Sequence, residues 1–153
     1  MKCRLAFEPG IYGDYDARGF TGYVNYNGAE AMVEHALFEL RSDGYINWYN
    51  GTWNGVWRGG YWQRGTWKGG TWWNGTWEGG TWKGGTWNYG QWHDGRWKDG
   101  EWINGWWHGG IWEGGCWDYG CWVSGKWLGG TWRQGWWHDA EGVGHYGQPP
   151  RSL

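Results

Sequence analysis

The chain has 153 residues, room for one ordinary domain or a small cap joined to a repeat array. Its 34 Gly lack the Gly-X-Y period of collagen and alone would suggest disorder, but 22 Trp exclude that, since disordered chains are poor in aromatics. With 13 Lys and Arg against 15 Asp and Glu, the formal charge of −2 gives no electrostatic basis for a nucleic-acid or anionic-membrane partner.

The start, Met1 to Gly10, contains no apolar segment of the kind a secretory signal needs. Nowhere does an apolar run approach the roughly 20 residues of a membrane helix. A chain kept in the cytoplasm, or released from it inside a virion, is the expectation. Cys3, Cys116 and Cys121 form an odd set, ill-placed for a disulfide framework.

Residues 1–47 have a mixed composition and are expected to form a small N-terminal α/β cap. Gly22 to Asn27 reads as a short strand ending in a turn. A helix is expected next, with Asn27 as N-cap and Glu30 completing a capping-box pattern. Ala29, Met32, Val33, Ala36, Leu37 and Leu40 then fall on one helical stripe, and Gly44 sits where a helix would stop.

Residues 48–139 are a pentad array with the unit x-Trp-x-x-Gly. Its expected structural core is Trp62, Trp67, Trp72, Trp77, Trp82, Trp87, Trp92, Trp97, Trp102, Trp107, Trp112, Trp117, Trp122, Trp127, Trp132 and Trp137, evenly spaced without a gap. Trp48, Trp53 and Trp57 extend the array backwards, with one residue missing between the last two. Asn-Gly, Asp-Gly and Gly-Gly pairs close most units, which is turn chemistry with Gly supplying positive φ. So much Gly excludes a helix, at about 1 kcal/mol per Gly relative to Ala. A longer period also shows. Trp87-Asn88-Tyr89-Gly90 returns as Trp117-Asp118-Tyr119-Gly120, and Trp106-Trp107-His108 as Trp136-Trp137-His138, for which duplication of a six-pentad block is the simplest account. After Asp139 the repeat ends, and residues 140–153 read as a loose tail.

Two all-β folds fit the pentad. In a β-solenoid every repeat Trp points inward with the Gly two residues before it, and the flanking polar residues face solvent. In an antiparallel meander of two-residue strands, successive Trp alternate between the faces of one thin sheet, which would have to curl or pair. Few other apolar residues lie in the array, so most Trp must be buried for it to fold, and this favours the solenoid.

The inward pair of a small residue and a large one resembles the pentapeptide-repeat family, with Gly and Trp in place of its small residue and its Leu or Phe. The Trp-x-Asn-Gly turn at Trp102 to Gly105 is similar to the hairpin of MORN repeats. Closer still, Thr52 to Trp137 resembles Gly-Thr-Trp pentad arrays of predicted phage proteins. That likeness implies a structural or assembly role in a phage particle and brings no activity with it.

No catalytic, cofactor-binding or metal-binding constellation stands out. Cys116 and Cys121 each precede a Trp, where Thr is commonest, and read as replacements at a tolerant outward position. His93, His108 and His138 each follow a Trp and read as solvated polar residues. Gly-Gly pairs lack the Lys and Ser or Thr of a phosphate loop. The remaining Trp matter more: Trp73 follows a repeat Trp, while Trp106 and Trp136 precede one, and in a solenoid all three point outward. Large exposed aromatics are contact points for a partner. The expected function is therefore non-catalytic and structural, through a protein partner or self-association, with a carbohydrate-binding module using these Trp as the alternative.

Overall fold

A computed structural model describes residues 10–150. Cys3 and the rest of residues 1–9, and residues 151–153 of the expected tail, lie outside the described residues. The fold is all-β: an antiparallel meander leads into a parallel β-solenoid of about six turns.

The meander consists of β1 (Gly10–Asp16), β2 (Gly19–Tyr26), β3 (Ala29–Leu40) and β4 (Ile46–Trp57), each antiparallel to the next. β3 replaces the helix expected from Asn27 onward. Asn27 and Gly28 both have positive φ, 46° and 83°, which makes them a hairpin turn rather than an N-cap. Ala29, Ala31 and Val33 then alternate inward. At His35 the backbone takes φ 51° and the pairing slips, so that Ala36 and Phe38 continue the inner face. Met32, Leu37 and Leu40, half of the supposed helical stripe, face solvent. The physical reason is the solenoid's first edge: β4 presents unpaired backbone groups that a strand can satisfy and a helix cannot. Gly44 keeps its positive φ, but in the β3–β4 turn, where its N–H donates to the Arg41 carbonyl.

β4 also begins the coil, so the expected boundary between cap and array falls inside one continuous strand. It pairs in parallel with β5 (Gly60–Trp62) and β6 (Thr66–Trp72). Twelve two-residue strands follow, β7–β18, from Thr76–Trp77 to Thr131–Trp132, and then β19 (Trp136–His138). Each pairs in parallel with the strand 15 residues earlier, as Trp77 does with Trp62 and Trp92 with Trp77. Three pentads thus make one turn, and the coil has three sides. The first turn is one residue short, Trp48 pairing with Trp62, which is where the residue missing between Trp53 and Trp57 is absorbed.

Two hydrogen bonds per pentad tie each coil to the one before. In the fourth coil, Arg96 N–H donates to the Gly80 carbonyl at 2.9 Å and Lys98 N–H to the Trp82 carbonyl at 2.8 Å. The Gly two residues before each column Trp from Trp53 onward turns the corner. At Gly95, φ is +122° and a Cβ would lie 2.4 Å from the Gly80 carbonyl oxygen, so the coils close to this distance only without a side chain.

The core is three columns of stacked indoles, running through Trp62, Trp67 and Trp72 respectively. Within a column, rings such as Trp82 and Trp97 lie 4.7 Å apart and 6° from parallel. Between columns, neighbours such as Trp92 and Trp97 meet edge to face at 5.9 Å and 73°. Both are arrangements that ring quadrupoles favour. Of the expected core, Trp62 through Trp122 are buried, Trp132 is nearly so, and Trp127 and Trp137 in the last coils are half-buried. Trp48, Trp53 and Trp57 are fully buried too, because Phe38 stacks on Trp48 and Phe20 packs behind it, carrying the first column into the meander. At the other end β20 (Gly144–Tyr146), within the expected tail, folds back antiparallel onto β19.

Candidate binding face

Outside the Trp columns, residues at equivalent pentad positions lie above one another, one coil apart. On the first side the position before Trp is filled by Gln91, Trp106, Cys121 and Trp136, paired in register. At the corner leading into that side, Tyr89, Asn104 and Tyr119 precede Gly90, Gly105 and Gly120, which stack in the same way. Aromatic rings therefore alternate up this side: Tyr89 at the corner, Trp106 on the face, Tyr119 at the corner, Trp136 on the face. All four are exposed, Trp106 by 41% and Trp136 by 46%. They border a groove of about 440 Å³ that also takes in Asn104, Cys121 and His138. Tyr146 of β20 lies edge-on to Trp136 at 5.3 Å.

The structure thus brings Trp106 and Trp136 together and leaves Trp73 out. Trp73 is 50% exposed, but it follows Trp72 in the third column, and its N–H donates to the Trp57 carbonyl on another side of the coil. Tyr89 and Tyr119 were not among the candidate residues of the sequence. Their signal was the thirty-residue recurrence, which in a coil of 15 residues means the same side two turns on.

The polar groups beside the ladder are largely engaged with one another. His108 stacks on His93 at 4.8 Å and its Nε2 lies 2.6 Å from Gln91 Oε1. Burial, then the neighbouring His93, pushes the His108 imidazole below its ordinary value. Cys121 sits almost buried between Trp106 and Trp136, with Sγ 3.6 Å from His138 Nε2. Burial pushes its thiol up, away from the thiolate a nucleophile needs. Cys116 and Cys121 are both free, and they occupy different sides.

The third side, beyond Trp73 at its start, carries charged groups. Arg133 pairs with Asp118 at 2.8 Å, and the hydrogen bond that a protonated Glu101 donates to the Asp118 carboxylate, aided by desolvation, raises the Glu101 carboxyl. Among the described residues, no group of three or more His, Cys, Asp or Glu could hold a metal ion. None of the described residues forms a helix long and apolar enough to cross a membrane.

Fold and face together define a three-sided parallel β-solenoid with an all-Trp core and one aromatic side. No family model, no curated protein and no solved structure matches the chain.

Proposed function

We propose that the chain acts without catalysis, as a rigid structural element that holds one contact face in fixed geometry. The observation that carries this reading is the register of Trp106 with Trp136 across Cys121, which sets exposed aromatics in a row on a backbone that cannot flex between them. Stacked indoles and inter-coil hydrogen bonds supply the rigidity. Large aromatics of few rotamers supply contact area at small entropic cost. A role as a virion or assembly component, docking through this face to a protein partner or to further copies, follows the likeness to phage pentad arrays.

The test is oxidative footprinting of Trp by N-bromosuccinimide, mapped by mass spectrometry, with molar mass from light scattering on the same sample. In dilute solution Trp73, Trp106 and Trp136 should oxidise well before any column Trp. If Trp106 and Trp136 become protected on concentration while the mass rises, the face serves self-assembly. Oxidation of Trp92 or Trp97 at the same rate as Trp106 would refute the rigid core and the reading with it.

A further inference from the structure

We infer that the ligand of the aromatic face is an extended, uncharged, β-1,4-linked glycan lying along the solenoid axis. The inference rests on the contact-face reading above and names what the face contacts.

Three observations carry it. The first is spacing. Stacked Trp107 and Trp122 give one coil as 4.9 Å, so Trp106 and Trp136, two coils apart, are separated by about 10 Å along the axis, twice the spacing of paired strands. Two residues of an extended β-1,4-linked pyranose chain advance about the same length. Its successive rings are turned by about half a turn, so the chain repeats every second sugar. The second is alternation. Corner Tyr and face Trp occupy alternate coils, offering a ring at every level but from alternating positions, as a chain with alternating sugar faces requires. A pyranose presents C–H groups on its flat faces and hydroxyls at its rim, which suits aromatic rings interleaved with Asn104 and the His138 edge. The third is charge. No Lys, Arg, Asp or Glu lines the groove, so no permanently charged side chain there would compensate an anionic or cationic ligand. An α-1,4-linked chain coils and would leave the row after a few sugars.

The full chain is titrated by calorimetry with cellohexaose and with chitohexaose, and with maltohexaose as the α-linked control. At least one β-linked hexaose should bind and maltohexaose should not. Trp106→Thr and Trp136→Thr install the residue the array itself uses before Trp, at Thr76 for example, so the coil is retained. Each should weaken binding about tenfold or more, as loss of a central aromatic anchor does. Trp73→Thr should leave it unchanged. Oxidation of the column Trp by N-bromosuccinimide, mapped by mass spectrometry and equally slow in variants and wild type, shows that each variant is folded. The inference is overturned if neither β-linked hexaose binds, if maltohexaose binds as well, or if binding survives the Trp106→Thr/Trp136→Thr double variant. Absence of sugar binding with Trp106 and Trp136 still oxidised first would defeat the glycan alone and leave a protein partner for the face. Column Trp oxidised at the same rate would defeat the contact-face reading itself.

Discussion

Trp82 and Trp97, 15 residues apart in sequence, lie face to face with ring centroids 4.7 Å apart and planes 6° from parallel. Trp97 stacks on Trp112 as well, and meets Trp92 and Trp102 edge to face. Its side chain is thus bounded by four other indoles, none of which can collapse into the space it would leave.

Trp97→Ala should therefore cost about 3–5 kcal/mol, the upper range for large-to-small core changes. Trp127→Ala, at the half-buried indole of the last full coil, should cost clearly less. Urea unfolding followed by circular dichroism checks both. Equal losses at the two positions would mean that the columns do not act as a continuous core.

Glycine at the corner and glycine before the corner should behave in opposite ways. Gly95→Ala imposes positive φ on an alanine and drives its Cβ against the Gly80 carbonyl, costing at least about 1–3 kcal/mol for the backbone strain alone. Gly84→Ala meets no atom within 4 Å and carries no positive φ, so it should fall within about 0.5 kcal/mol of wild type or stabilise slightly. Thermal unfolding of the two variants separates them. A neutral Gly95→Ala would contradict the corner geometry.

The same pair shows what the sequence could and could not disclose. The five-residue step of Trp and Gly fixes an inward indole and a positive-φ corner locally, and so the solenoid was legible. How many pentads close a turn is a property of the assembled coil, decided by how three indoles meet edge to face across its axis. Without that number the thirty-residue recurrence reads as mere duplication, and Tyr89 and Tyr119 go unnoticed beside Trp106 and Trp136. The strand β3 reads as a helix because Ala29 and Val33 satisfy helical and extended spacing alike, while Ala36, which fits only the helix, is turned inward by the irregularity at His35. Ala31, which fits only the strand, and the hairpin signal of Asn27-Gly28 were the discriminating residues. The non-local cause, an edge of β4 in need of a partner, has no trace in the helical pattern itself.

Acidification should loosen the first side at its histidine stack. The folded state depresses the His108 pKa through burial and the adjacent His93. A histidine so depressed contributes stability above its unfolded value, about 6.5, and that contribution is lost as pH falls from there through the folded value. Over the range from about pH 8 down to about pH 5, where imidazoles change charge, His108→Gln should flatten the pH dependence of the unfolding midpoint. An unchanged slope in the variant would show that the stack carries no such linkage.

Deletions test the three-sided coil most directly. Removing residues 91–105 takes out one full turn, so Trp106 would pair with Thr76 and every later residue would stay on its side. Removing residues 91–95 alone takes out one side. Trp97 would enter the first column, and Trp106 and Trp136 would move to the third side, the side of Trp73. Both shortened chains should fold, because each pentad is equivalent to its neighbours and stability in such arrays is roughly a sum over units and their interfaces. The fifteen-residue deletion should lower stability more, having lost more stacked pairs. Spin labels at Gln63 and Val123, four coils apart on the first side, report the geometry once Cys3, Cys116 and Cys121 are replaced by Ser. The full-turn deletion should shorten their separation by about 5 Å, one coil rise. The single-pentad deletion should instead carry the Val123 label around to another side, changing the separation by a lateral rather than a purely axial step. A chain in which the five-residue deletion kept Val123 above Gln63 would not be coiled in threes.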